Sequence, residues 1–404
     1  MTEEQKEKQK EKEKDYFRLI TSEISLARQG KRPGIDTNLD FADFAKVERG
    51  TFYLIGGETG TGKTSFVDDV FLMNAIEEYM VDGEDKNFMC LYFTMEVSKK
   101  RKLLKLAVNK LYREGVLTPT TRKPVDIKKI LSTDMPLTER GLEYIRNLQP
   151  FFKVLQEKVK FLEIPEDAAR TKEQIQKFLD MHLEEIEEDF FDDVLKENTT
   201  RKVFVNKINK RPMFLLIIYD HISLVKRKNG NFAKDQMDEL SGDFIQFRNK
   251  YDVAIAAVQQ LKSKNSFTVS KQDELWPVLD DFSDSKNMQK DANVVLALFS
   301  PARYHLAEYK GYNISILGDR YRSVYKLKDR DGRGLGDRSM LYVGETGIFA
   351  PLPPIENLFS NNDKAKNLLE DVLAGRNALP EKRKDSVREL PPSDFTEYQE
   401  GDPY

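Results

Sequence analysis

The chain has 404 residues, 39% of them hydrophobic and 33% charged, with 65 Lys and Arg against 68 Asp and Glu and a formal net charge of −3. That length buries one large core or two smaller ones, and the near-balanced charge excludes a global basic field, so any nucleic-acid contact has to be local. No apolar run approaches the roughly 20 residues of a membrane span, which argues for a soluble chain with no membrane partner.

Residues 1–14 form a Lys/Glu/Gln run without an apolar stripe, expected to be a disordered, solvated arm and not a signal peptide, so a cytoplasmic location is expected. From Asp15 to Gln29, Phe17, Ile20, Ile24 and Ala27 fall at helical spacing, and Lys31-Arg32-Pro33-Gly34 reads as a linker after that helix. The main domain then runs from Ile35, with Ile35 to Val47 leading into its first long strand.

At Leu54-Ile55-Gly56-Gly57-Glu58-Thr59-Gly60-Thr61-Gly62-Lys63-Thr64-Ser65 an apolar strand, Thr51 to Ile55, breaks into glycines before a helical pattern over Ser65 to Ala75. Gly57, Gly62, Lys63 and Thr64 fit G-x-x-x-x-G-K-[ST], the pattern of a P-loop. Its glycines let backbone N–H groups wrap phosphate oxygens, Lys63 reaches the β- and γ-phosphates, and Thr64 holds Mg²⁺. The following helix adds its N-terminal dipole, so ATP with Mg²⁺ is the expected ligand of residues 57–65.

Phe88 to Phe93 is the next apolar run, and it delivers Glu96 to a strand end ahead of a helix marked by Leu103, Leu104, Ala107, Val108 and Leu111. The single cysteine, Cys90, lies in that run and excludes an internal disulfide. Thr118 to Arg140 has few periodic features, and Val159 to Ile164 returns to strand character. Thr171 and Gln174 form a capping-box pattern before a helix carrying Ile175, Phe178, Leu179 and Ile186, where His182 reads as a core or boundary residue. Residues 184–211 are dense in charge and read as an inserted helix with a surface loop.

Met213 to Tyr219 is a buried strand ending in Asp220, the pattern of a Walker B element, with His221 beside it read as a packing residue or, alternatively, as one that tunes the site. The strand Val253 to Val258 ends in Gln259-Gln260, where a buried amide requires a partner. Asp281 to Asp291 reads as a polar loop containing Lys286 and Lys290, followed by the strand Asn293 to Phe299. Tyr321 to Leu327 alternates as a strand and runs into the basic, glycine-rich turn Lys328-Asp329-Arg330-Asp331-Gly332-Arg333-Gly334, with strand character resuming at Ser339 to Val343. With His305 the histidines number three and show no metal-ligand spacing, so zinc chemistry is not expected.

Taken in order, the P-loop, Glu96, Asp220, Gln260, the polar loop and Lys328-x-Arg330 resemble the RecA-like motor domain of DnaB-type replicative helicases over about Ile35 to Leu352. The resemblance implies an α/β fold with a mostly parallel central sheet flanked by helices and a C-terminal β-hairpin region. Phe93-Thr94-Met95-Glu96-Val97-Ser98 is similar to the family's strand-plus-Glu motif, which implies Glu96 as the base that polarises water. Leu216 to Leu224 resembles the Walker B segment and places Asp220 with Thr64 at the metal; Val258-Gln259-Gln260-Leu261 resembles the sensor of γ-phosphate. Asp281-Phe282-Ser283-Asp284-Ser285 resembles the DNA-binding loop, implying contacts from Ser283, Asp284, Lys286 and Lys290, although Ser283 stands where the family usually has arginine and Lys286 where it usually has glycine. Lys328-Asp329-Arg330-Asp331-Gly332 resembles the element that enters a neighbour's ATP site, so Lys328 and Arg330 are expected to act in trans.

The expected organisation is a disordered arm over 1–14, a linker helix and linker over 15–34, a motor over 35–355 with an insertion at about 184–211, and a largely disordered tail over 356–404. Only about thirty residues precede the motor, so the resemblance implies a form without the family's collar domain, of the kind a bacteriophage or mobile element encodes. The function implied is an ATP-dependent replicative DNA helicase: a hexameric homo-oligomer on single-stranded DNA, hydrolysing ATP at subunit interfaces, moving 5′→3′ and meeting replication partners. A reading from a different class is a RecA/KaiC-like ATPase that serves as a nucleic-acid-binding scaffold or nucleotide switch without processive unwinding.

Overall fold

A computed structural model describes residues 3–29, 34–36, 46–82, 87–116, 125–133, 137–227, 232–264, 275–282, 286–332 and 334–352. The linker at 31–33, Ser283, Asp284 and the tail at 356–404 therefore lie outside the described residues. Helix α1 spans Glu3–Arg28, so it takes in the charged run and begins well before Asp15.

The strands of the central sheet are β1 (Phe52–Gly57), β2 (Asn87–Thr94) and β3 (Val159–Leu162) in its first part. Between β1 and β2 the chain forms α2 (Lys63–Phe66), a π-helical stretch (Val67–Met73) and α3 (Asn74–Asp82), a continuous helical run that includes the helix expected over Ser65 to Ala75. Helix α4 (Lys99–Arg113) follows β2 and is capped by Ser98, whose hydroxyl accepts from Arg101 N. Helix α5 (Ala168–His182) starts at Asp167, whose carboxylate accepts from Arg170 N at 2.9 Å. Thr171, expected as the cap, instead lies inside the first turn and is buried, and His182 stacks edge-on against Phe178 at 4.8 Å.

The charged segment at 184–211 is not a helix: β4 (Leu183–Asp192) and β5 (Glu197–Asn206) form an antiparallel hairpin. Its charges are paired across strands, with Glu188 opposite Arg201 and the two side chains 2.7 Å apart. Such pairs support a sheet as i,i+4 pairs support a helix, so charge density alone does not separate the two. Helix α1 sits on the tip of this hairpin: Gln29 donates to Phe191 O at 3.0 Å, and Ser25 Oγ accepts from Asp193 N at 3.0 Å. The buried side of α1 is Thr21, Ser22, Ser25 and Leu26, whereas Phe17, Ile20 and Ile24, the apolar residues at helical spacing, are exposed.

The chain continues through β6 (Met213–Asp220), α6 (Ala233–Tyr251), β7 (Ala254–Gln260), α7 (Lys286–Asp291) and β8 (Val294–Phe299). It ends in β9 (Tyr321–Asp329), β10 (Gly336–Val343) and β11 (Ile348–Pro351). Thus the expected polar loop at 281–291 includes a short helix, and Lys328 belongs to a strand that runs two residues past Leu327.

The nine strands are ordered β11-β10-β9-β8-β1-β7-β6-β2-β3. Strands β8, β1, β7, β6, β2 and β3 are parallel, and β9 to β11 extend the sheet antiparallel from β8. Both faces are covered: Phe52, Leu54, Ile217 and Phe93 join one core, while Tyr53, Ile55, Ile218 and Cys90 join the other. That double burial explains why the central strands are near-continuous apolar runs with no polar alternation. Because the six parallel strands share a direction, their C-terminal ends meet at one edge.

Candidate active site

At that edge β1 ends in Gly57 and the chain turns through Glu58 to Gly62 into α2. A Cβ on Gly57 would stand 2.5 Å from Thr61 Oγ1, and Gly62 has φ +95, so the tight turn needs glycine at both positions. Lys63 Nζ is held back over the loop by Glu58 O at 2.9 Å. Burial lowers its pKa, against the pull of the Glu96 and Asp220 carboxylates that face it.

Neighbouring strands bring the other groups level with this turn. Gln260 pairs with Gly57 in the sheet register, and its Nε2 donates to Thr59 Oγ1 at 2.7 Å. Thr94 pairs with Asp220, which puts Glu96 just beyond the edge, 56% exposed, with its Oε2 3.9 Å from His221 Nε2. Gln259 differs from expectation: it is fully buried and its amide has no hydrogen-bond partner among the described residues.

Thr64 Oγ1 donates to Asp220 Oδ1 at 3.0 Å. Asp220 is 1% exposed, and its Oδ2 has no hydrogen-bond partner among the described residues. Burial raises its pKa, while the nearby Lys102 ammonium acts to lower it. A hydroxyl beside a carboxylate with one unpartnered oxygen fits Mg²⁺, which takes hard oxygen ligands, one or two from protein and the rest from phosphate and water.

Several residues around the loop escaped the motif reading. Arg322, fully buried in β9, donates through Nε to Thr61 O at 2.8 Å and through Nη1 to Asp319 O at 2.6 Å, fixing the loop from behind. Its guanidinium lies 4.9 Å from the centre of the Tyr342 ring, and the Tyr342 hydroxyl is 3.2 Å from Ser65 Oγ. Arg303 covers the loop from outside, bonding Thr59 O and lying 3.7 Å from Glu58 Oε2. An arginine inside an alternating strand is a signal of a buried cation, but which carbonyls receive it depends on the sheet order. Beside Ser65 and Tyr342 a cavity of about 330 Å³ opens, walled also by Arg101, Lys105 and Lys128.

Lys328 and Arg330 are not part of this assembly. Asp329 pairs with Val294, and Val294 with Tyr53, whereas Gly57 pairs with Leu298, so the two sites are at opposite edges, about 13 Å apart along the strands. There Lys328 Nζ donates to Gln289 O at 2.8 Å and Lys290 O at 2.6 Å, and Arg330 bonds Lys290 O. Burial, with Arg330 beside it, pulls the pKa of Lys328 down to about 8. The structure therefore joins the basic turn to α7, which carries the exposed Lys286 and Lys290, and separates both from the P-loop.

A P-loop at the C-terminal edge of a mostly parallel sheet, with Asp220 ending one strand and Glu96 just past the end of its neighbour, defines a P-loop NTPase of RecA-like fold. Residues 145–350, about half the chain, match the family model described as the DnaB-like helicase C terminal domain. The chain belongs to that family; the matched stretch holds Asp220, Gln260, Lys328 and Arg330, while the P-loop and Glu96 precede it. A solved structure described as a DnaB-like replicative helicase and its interactions with primase is similar, with TM-score 0.55, 18% identity, 80% of this chain covered and 63% of that one. The chain thus spans less than two thirds of that helicase. A second solved structure, described as an ATPase domain, is similar with TM-score 0.58 and 16% identity, covering 84% of this chain and 98% of that domain. No curated protein matches the chain in sequence.

Proposed function

We propose that this chain is the ATP-driven motor of a replicative DNA helicase, acting as a hexameric ring on single-stranded DNA and hydrolysing ATP between subunits. One observation carries the reading: Lys63, Thr64, Asp220, Gln260 and Glu96 gather at one sheet edge, while Arg330 lies at the other. A cation so placed cannot reach its own P-loop, yet it is well placed to meet a neighbour's in a head-to-tail arrangement.

In this reading the P-loop N–H groups and Lys63 receive the β- and γ-phosphates, and the nucleoside extends past Ser65 into the cavity beside Tyr342. Thr64 and Asp220 hold Mg²⁺, which supplies charge neutralisation on the phosphate oxygens when bound. Glu96 orients the attacking water and takes its proton; its exposure in the single chain leaves it free to reach that water. Gln260, bonded to Thr59 on the loop, reports the γ-phosphate to β7. Arg330 of the adjacent subunit stabilises the charge that develops in transfer. The exposed Phe17, Ile20 and Ile24 face of α1 is the surface we assign to that adjacent subunit.

The test is strand displacement on a forked duplex, run beside single-strand binding over a range of salt. Wild type is expected to release the strand with ATP. Lys286→Ala with Lys290→Ala is expected to weaken single-strand affinity and flatten its salt slope by roughly 1 to 2 units, as loss of phosphate contacts does. ATP hydrolysis without strand release would support the scaffold or switch reading, and an unchanged salt slope would place the nucleic acid elsewhere.

A further inference from the structure

Beneath Asp220 lies a buried charge cluster that the reading above does not use. Lys102, on α4, is fully buried, and its ammonium directs its three donors to Asp68 Oδ1 at 3.0 Å, Asp68 Oδ2 at 2.9 Å and the Tyr92 hydroxyl at 2.8 Å. Tyr92 in turn donates to Asp68 Oδ1 at 2.7 Å. The same ammonium lies 3.8 Å from Asp220 Oδ2, the oxygen that has no hydrogen-bond partner among the described residues. With its donors already taken, Lys102 acts on Asp220 through charge alone.

The three residues come from three elements that frame the site. Asp68 is on the π-helical stretch behind the P-loop, Tyr92 is on β2, which leads to Glu96, and Lys102 is on the helix that follows Glu96. Arg113, also on α4, donates through Nη2 to Asp69 O of the π-helical stretch at 3.1 Å and through Nη1 to Glu77 Oε2 of α3 at 2.8 Å, so the cluster is held in a fixed frame. Apolar side chains would fill this interior without the desolvation cost of an ion pair, so packing alone does not account for an ammonium here.

We propose that Lys102 is a positioning residue of the nucleotide site, a built-in cation that balances Asp220 when the metal is away and thereby sets how strongly nucleotide binding depends on Mg²⁺. The inference rests on the nucleotide-site reading given above. An unbalanced carboxylate at Asp220 would repel the phosphate oxygens received beside Thr64 and attract a divalent cation. A fixed positive charge 3.8 Å away reduces both effects, and does so strongly because little water screens it.

The experiment measures the affinity of the full chain for a fluorescent ADP analogue with Mg²⁺ and with chelator, and takes the ratio of metal-free to metal-bound dissociation constants. Asp68→Asn keeps the shape of the cluster but leaves the ammonium without its carboxylate, so the ratio is expected to fall by about tenfold. Lys102→Met with Asp68→Leu and Tyr92→Phe removes the whole cluster while keeping apolar packing, and the ratio is expected to rise by about tenfold. Circular dichroism and thermal unfolding verify that each variant is folded. Ratios within twofold of wild type in the folded variants overturn the proposal, and so does a shift of both in one direction, since that marks loosened packing and not charge. If the triple variant fails to fold, the sign of the Asp68→Asn change decides. Failure of the wild type to bind the analogue in either condition is a separate outcome, which removes the nucleotide-site reading and this assignment with it.

Discussion

Lys63→Ala is expected to abolish ATP binding, and Glu96→Gln to leave binding intact while slowing hydrolysis by about 10²–10⁴-fold. The two residues share one sheet edge but do different things. Lys63 is a cation already pulled into the loop by Glu58 O, so its removal takes away phosphate charge compensation at a site where burial makes charge count. Glu96 stands off the end of β2 with its carboxylate near His221, so its loss leaves the phosphate cradle in place. Equilibrium binding of a fluorescent ATP analogue and steady-state phosphate release separate the outcomes. Wild-type turnover in Glu96→Gln would remove Glu96 from the role of base.

Arg330→Ala is expected to fold, to bind ATP, and to lose about 10³–10⁵-fold in hydrolysis rate. The side chain is at the edge opposite the P-loop and bonds Lys290 O there, so its truncation disturbs neither the loop nor the sheet core. Mixing Arg330→Ala subunits with Lys63→Ala subunits is then expected to restore part of the activity, because an interface can form in which one subunit supplies an intact P-loop and the other an intact arginine. Recovery should follow the mixing ratio and peak between the pure variants. Subunits shown to exchange by fluorescence transfer, yet showing no recovery at any ratio, would count against an arginine supplied in trans.

The sequence by itself carried the strands that hold the site and the order of their end groups. β1, β6 and β7 are apolar runs ended by glycine, aspartate and glutamine, β2 is one followed two residues on by Glu96, and burial on both faces makes such runs unmistakable. It carried less about the hairpin of β4 and β5, because Glu and Lys that pair across two strands look the same in sequence as Glu and Lys that pair along a helix. It also left the second side of α1 unread: the hydroxyl-rich face of Thr21, Ser22 and Ser25 packs on the hairpin turn, with Ser25 accepting from Asp193 N, whereas periodicity of apolar residues singles out only Phe17, Ile20 and Ile24, which are exposed in the single chain.

Only the tertiary structure decided which distant charges meet. Arg322 needs β9 placed beside β8, and β8 beside β1, before it can reach Thr61 O, and Lys102 needs α4 laid against the P-loop helix before it can meet Asp68 and Asp220. Likewise the separation of Arg330 from the P-loop follows from strand direction: β9 runs antiparallel to β8, so its end returns to the edge from which β1 departs. Local sequence fixes which residue types stand at strand ends, because hydrophobic burial is read within a few residues; sheet order and direction, which set the partners of buried charges, are settled by contacts between segments far apart in the chain.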